Sequence, residues 1–97
     1  MRIVAVTACP TGIAHTYMAA EQLEKTAKKL GHTIKVETQG AMGIENELAA
    51  SDIDAAEVVI IAADIALERP ERFAKKRKVE VPVQEALKHP ESIFARI

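Results

Sequence analysis

The residues best suited to chemistry lie together near the N-terminus, in Cys9-Pro10-Thr11-Gly12-Ile13-Ala14-His15-Thr16. A thiol follows directly on the apolar run Ile3-Val4-Ala5-Val6-Thr7-Ala8, and a loop containing Pro and Gly separates it from a helical pattern that sets in at Thr16. The amides of such a loop can curl toward the sulfur, and the N-terminal N–H groups of the helix point the same way. This is a cradle for an anion with a sulfur inside it, and its field favours thiolate over thiol. Nucleophilic sulfur in a phosphate cradle predicts a phosphocysteine intermediate. Pro10 has no N–H, so the donors are the amides of Thr11, Gly12, Ile13, Ala14, His15 and Thr16, helped by the hydroxyls of Thr11 and Thr16.

Cysteine-dependent phosphatases place a cysteine and an arginine on either side of a five-residue loop, followed by Ser or Thr. Cys9 and Thr16 fit that spacing, but His15 stands where the arginine would be. A guanidinium clamps phosphate with two parallel hydrogen bonds and stabilises the group in transit, which imidazole does less well. No Asp-Pro general-acid motif accompanies the loop. The residues therefore suit a site that accepts a phosphoryl group and holds it without fast hydrolysis. Such transfer needs no metal, and no cluster with metal-ligand spacing is visible; no cofactor is expected.

The elements that must position this loop can be read from periodicity. Residues 3–8 form a β-branched run typical of a strand buried on both faces. Tyr17, Ala20, Leu23, Ala27 and Leu30 recur at helical spacing and predict an apolar stripe, with Glu21/Lys25 and Glu24/Lys28 paired on the other side and Gly31 as the stop. Thr33 to Thr38 alternates, with Ile34 and Val36 apolar against Lys35 and Glu37, and predicts a second strand. Residues 39–43 read as a loop, followed by a short helix around Asn46 to Ala50 and a further turn capped by Ser51-Asp52-Ile53-Asp54. Glu57 to Ala63 is a third strand, Pro70 opens a short helix through Phe73, Lys78 to Val83 is a fourth strand, and the remainder is terminal helix interrupted at Pro90. Apolar strands alternating with helices imply an α/β three-layer sandwich, Rossmann-like, with a four-stranded parallel sheet and helices on both faces. Right-handed crossovers then bring the loops after strands 1 and 3 side by side at the carboxyl edge, where ligands bind in such folds.

Composition agrees with this frame. At ~100–200 residues per domain the chain is one domain, residues 1–97. Hydrophobic residues make up 48% and aromatics only 3%, so Ile, Val, Leu and Ala must build the core. The formal net charge of −1 offers no general attraction to nucleic acid, and no aromatic side chains accompany the basic run to stack on bases. The single cysteine fits a reducing, cytosolic setting. The longest apolar run, Val58 to Ala63, is far short of the ~18–20 residues of a membrane span, and the N-terminus does not resemble a signal peptide.

Other residues divide between structure and function. His15 could stabilise a phosphoryl group or turn to solvent. His32 and His89 are expected on the surface, Tyr17 on the helix stripe, and Glu37 and Gln39 in structural roles. Asp64, ending the third strand beside the loop, is expected either to influence the site or to serve as a cap. Met18 and Met42 suit either core filling or a partner surface. Charge is segregated: the stretch from Glu37 to Asp64 holds acidic residues and no basic one, whereas Arg72 to Lys78 is mostly basic. The two stretches read as solvated faces or as complementary docking surfaces.

The segment Val6-Thr7-Ala8-Cys9-Pro10-Thr11-Gly12-Ile13-Ala14-His15-Thr16-Tyr17-Met18-Ala19-Ala20 resembles the active-site signature of the fructose-type enzyme IIB domain of the bacterial phosphoenolpyruvate-dependent sugar phosphotransferase system. Lys35-Val36-Glu37-Thr38-Gln39-Gly40, Asn46 and Leu48, Ala55 to Ile60, Ala62-Ala63-Asp64 and Arg72-Phe73 extend the resemblance. It departs at Ala74-Lys75-Lys76-Arg77-Lys78, where members usually have a Gly before the Lys. The resemblance implies that Cys9 takes a phosphoryl group from a phosphohistidine of enzyme IIA. It then passes the group to a fructose-class sugar held by the membrane-embedded enzyme IIC during uptake. It implies a cytoplasmic protein at the inner face of the membrane, and a monomer is expected in isolation. Two other classes of function suit the same loop: a cysteine phosphatase or oxyanion reductase, and a non-catalytic regulator that only binds a partner.

Overall fold

In the computed structural model, residues 1–9, 13–40 and 43–97 are described, and for Ile13 only the backbone. The first run forms β1 (Arg2–Ala8) and leads to α1 (Ile13–Lys29), then β2 (Thr33–Gly40) and β3 (Gly43–Glu45). There follow α2 (Ala50–Ala55), β4 (Val58–Ala63), a 3-10 turn at Pro70–Phe73, β5 (Lys78–Val81), α3 (Val83–Lys88) and α4 (Pro90–Phe94). The sheet order is β3-β2-β1-β4-β5. β1 lies between β2 and β4, parallel to both, and β5 is parallel to β4.

The expected sandwich with four parallel strands is present, with one addition. Residues 43–45, read from the sequence as loop and the approach to a helix, pair antiparallel with β2, Gly43 opposite Gly40. A three-residue strand carries too few side chains to show a period, so only pairing with β2 reveals it. The predicted helix at 46–50 does not form: Asn46 adopts a left-handed φ of 54° and the helix starts at Ala50. Its N-cap is Ala49, whose N–H donates to the Asp52 carboxylate at 3.3 Å, so Asp52 serves as the third helical residue rather than as a partner of Ser51.

Two cores flank the sheet. Ile3, Ala5, Val36, Val58, Ile60, Val79 and Val81 pack beneath α1, α3 and α4, and Val4, Val6, Val59 and Ile61 pack against Leu48, Ile53 and Phe73 on the α2 side. The alternation of β1 residues between the clusters is the two-residue period of a strand covered on both faces. Leu23 and Phe73, one in each layer, are among the largest fully buried side chains. At roughly 1.5–3 kcal/mol for each such side chain they anchor their helical layers.

α1 buries Thr16, Ala19, Ala20, Leu23, Thr26 and Ala27. The predicted stripe is therefore correct in its middle and wrong at its ends, because Tyr17 and Leu30 are exposed and two buried threonines complete the face. Gly31 stops the helix at φ 82°, with the His32 N–H reaching the Ala27 carbonyl at 2.8 Å and the Gly31 N–H reaching Lys28 at 3.2 Å. That pairing satisfies two terminal carbonyls, and only glycine enters this conformation without strain. His32, expected at the surface, is half-buried and stacks on Phe94 at 5.8 Å.

Candidate functional site

β1, β2 and β4 finish level with one another, Ala8 facing Gln39 on one side and Ala63 on the other. Cys9 is therefore delivered to the carboxyl edge at the centre of the sheet, and the Asp64 N–H, donating to the Ala8 carbonyl at 3.0 Å, closes the edge beside it. The chain returns as α1, whose N-terminal turn lies at the same edge. Thr7 fixes that turn: its buried Oγ1 donates to the Thr16 carbonyl at 3.0 Å. Thr16 is itself buried, and a Cβ placed on Gly40 at the end of β2 would lie 3.8 Å from its Oγ1. Hydroxyl-bearing residues from two elements thus tie the start of α1 to the strand that carries the cysteine.

Cys9 is 5% exposed. It lines an open cleft of about 450 Å³ between the carboxyl edge and α3, with His15 and Asp64 on its own side and Gln84, Leu87 and Lys88 on the other. Reach to the sulfur thus runs through a cleft rather than across a flat, solvent-facing surface. His15, in the first turn of α1, is exposed and borders the same cleft. Ala14 is exposed beside it. Pro10, Thr11 and Gly12 lie outside the described residues, as does Met42, and only the backbone of Ile13 is described.

Asp64 takes the cap role: its Oδ1 accepts the Val83 N–H at 3.1 Å, at the first turn of α3. A carboxylate there complements the partial positive charge of the helix start and fixes α3 as the far wall of the cleft. Tyr17, expected on the apolar stripe, is 41% exposed and its hydroxyl donates to the Glu45 carboxylate of β3. That bond, with lesser contributions from burial and the negative charge, pushes the phenol above its ordinary value. Met18, beside it, is exposed as well.

The sequence missed a buried ion pair on the other side of the sheet. Glu37 is fully buried, and its Oε1 and Oε2 receive Arg72 Nη1 at 2.7 Å and Nη2 at 2.9 Å. The Leu48 N–H at 3.0 Å and Gln39 Nε2 at 2.8 Å complete its shell. Gln39 in turn bonds both the N–H and the carbonyl of Glu68, and Arg72 stacks over Phe73 at 4.8 Å. Burial pushes the Glu37 carboxyl up, but the bonds from Arg72, the Leu48 amide and Gln39 outweigh it and hold the group below its ordinary range. The network pins the segment after β4 to the end of β2, which gives Glu37 and Gln39 structural roles. Simple alternation puts Glu37 on a polar face, and no local pattern in the sequence points to Arg72, thirty-five residues later, as its partner.

The basic run is largely exposed, as a solvated face would be, yet three of its cations have specific backbone partners. Lys76 Nζ donates to the Asp54 and Ala56 carbonyls at 2.9 and 3.0 Å, at the end of α2. Lys78 Nζ reaches Phe73 O at 3.1 Å, ending the 3-10 turn, and Arg77 reaches Arg96 O at 3.0 Å. These cations bond carbonyls at or just beyond helix ends, where the partial negative charge favours them. Because Lys78 opens β5 opposite Val59, near the start of β4, the run sits at the amino edge of the sheet, away from Cys9.

The family model described as "PTS system, Lactose/Cellobiose specific IIB subunit" matches residues 4–96. The "PTS system fructose-like EIIB component 2" of Escherichia coli is 52% identical over 96 residues, covering 99% of this chain and 91% of that relative. A second Escherichia coli relative, the "Fructose-like PTS system EIIBC component", is 52% identical across the whole of this chain, which spans 20% of its length. Among solved structures, a domain of the fructose-specific IIABC component of Borrelia burgdorferi superposes with a TM-score of 0.92 at 49% identity, covering 97% of this chain and 89% of that one. No helix among the described residues is long and apolar enough to cross a membrane. With the family model spanning nearly the whole chain and relatives sharing half its residues, the chain belongs to the IIB family of the sugar phosphotransferase system, in its fructose-type branch.

Proposed function

We propose that Cys9 is the phosphoryl carrier of this component. It takes the group from a phosphohistidine of enzyme IIA and gives it to a fructose-class sugar bound by enzyme IIC. The observation that carries the reading is the placement of Cys9 at the carboxyl end of the central strand, lining one cleft together with His15 of the 17-residue α1. In the first step the Cys9 thiolate attacks phosphorus, the N–P bond breaks as the S–P bond forms, and the electron pair returns to the imidazole of IIA. In the second a sugar hydroxyl oxygen attacks, the S–P bond breaks, thiolate is restored and the hydroxyl proton leaves to a base or water.

At the phosphorus both steps are mainly positioning and charge stabilisation. The amide groups of residues 11–16 hold the equatorial oxygens, with Thr16 kept in place by the Thr7 bond to its carbonyl. His15 in place of an arginine slows hydrolysis, so the group survives until the sugar arrives. The relative that joins EIIB and EIIC in one chain supports an IIC partner here. The relatives' printed specificity supports a fructose-class acceptor. The component works in the cytoplasm at the inner face of the membrane, where IIC presents the sugar.

Intact-mass spectrometry tests the reading. The chain is incubated with phosphoenolpyruvate, the general phosphotransferase proteins and a matched IIA. It should gain one phosphoryl mass, Cys9→Ser should gain none, and IIC with sugar should discharge it. No gain in the wild-type chain, or a gain that survives Cys9→Ser, overturns the assignment.

A further inference from the structure

We propose that Lys88, on the α3 wall of the cleft, is the cation that binds the phosphoryl group carried at Cys9; this rests on Cys9 being the carrier. A phosphoryl group on a side chain brings about 1.5 to 2 negative charges at neutral pH. The loop has His15 where an arginine would answer that charge, so a permanent cation must come from another element. Among the described residues lining the cleft, Lys88 is that cation.

The packing of α3 explains why it faces this way. Val83 and Ala86 are buried in the core, which turns Gln84 and Lys88, one helical turn apart, toward the cleft with Leu87 between them. The helix is held at its start by Asp64, whose carboxylate is engaged with the Val83 N–H. The acidic residue that lines the cleft is thereby occupied as a cap, and the lysine at the other end of α3 meets the incoming charge. Glu85, the acidic neighbour on α3, is engaged by Ser92 Oγ at 3.0 Å. Several other cations are engaged elsewhere: Arg72 is bound to Glu37, Arg69 pairs with Glu47, and Lys76, Arg77 and Lys78 bond backbone carbonyls.

A lysine in the last turn of a helix also complements the helix end, and the experiment separates the two roles. Phosphoryl transfer from matched IIA onto the full chain is timed for wild type, Lys88→Gln and Lys88→Arg. The rate should fall roughly three- to tenfold in Lys88→Gln, as for an exposed charge meeting a phosphoryl group. Lys88→Arg should return it to within about twofold, since it keeps the charge. Thermal midpoints should stay together. Phosphorus NMR of the loaded proteins adds a signature that stability does not move: the wild-type phosphoryl group should lose its second proton at lower pH than in Lys88→Gln, because a nearby cation favours the dianion.

Equal rates and coincident phosphorus titrations in wild type and Lys88→Gln, with Cys9 still loaded, overturn this proposal and leave the carrier assignment standing. A slower Lys88→Gln with a lowered thermal midpoint and no rescue by arginine assigns Lys88 to the helix end and also overturns it. A wild-type chain that takes no phosphoryl group overturns the carrier assignment and this proposal with it.

Discussion

Removing Arg72 should expose how much of this fold depends on one buried charge. In Arg72→Met, Glu37 keeps the Leu48 amide and Gln39 but loses two short charge-assisted bonds, at 2.7 and 2.9 Å, and is left fully buried as an anion. Breaking a buried pair from one side costs about 3–5 kcal/mol. The two bonds that remain place this case near the lower end, about 3 kcal/mol. For a domain of this size that is a fall in thermal midpoint of roughly 12–24 °C. The pH dependence carries the diagnosis. In wild type the Glu37 carboxyl is held below its ordinary range. It therefore contributes stability that is present above the unfolded value, about 4.3, and is lost as pH falls through the folded value.

In Arg72→Met burial acts without its counterion and pushes the same carboxyl up. A group raised in the folded state favours folding below its unfolded value and loses that contribution as pH rises through the folded one. The variant's deficit should therefore be largest near neutrality and shrink as pH falls toward about 5, where wild type still holds. Urea denaturation at about pH 7.5 and about pH 5 measures both gaps. A deficit under about 1 kcal/mol, or one identical at the two pH values, would refute the account of Glu37 as a buried anion balanced by Arg72.

Asp64→Ala should cost about 1 kcal/mol by removing the cap on the Val83 N–H, and Asp64→Asn should recover most of it, as read from urea midpoints. Lys76→Gln should destabilise by about 0.5–1.5 kcal/mol, because the ends of α2 and the chain after it lose the lysine that bonds Asp54 and Ala56. Lys75→Gln, one residue away, should stay within about 0.5 kcal/mol; equal costs in the two variants would show that the run acts as a general charge and not as a set of caps.

Much of the α/β frame and the position of the candidate site could be read in the residues themselves. The run Ile3 to Ala8 is apolar at every position but Thr7 because a central parallel strand is covered on both faces, and that signal is local. Gly31 as the end of α1 is equally local, since its φ of 82° is a property of one residue. Cys9 was legible for the same reason: strand, Pro, Gly and helix follow one another without interruption, and the crossover rule alone carries that junction to the carboxyl edge.

What escaped the sequence depends on residues distant along the chain. Glu37 looks like the polar half of an alternating strand, and only the arrival of Arg72, Leu48 and Gln39 around it makes a buried carboxylate tolerable. The basic run looks like surface charge until α2 and the end of α4 bring their carbonyls to it. Tyr17 keeps the spacing of a core residue, yet β3 draws it outward to Glu45. The wall of the cleft opposite Cys9 comes from α3, more than seventy residues later in the chain. Period and turn chemistry act over a few residues and were determined by the sequence alone; ion pairing, capping of distant helix ends and the closing of a cleft arise only when packing brings remote groups into one low-dielectric space, so tertiary structure decided them.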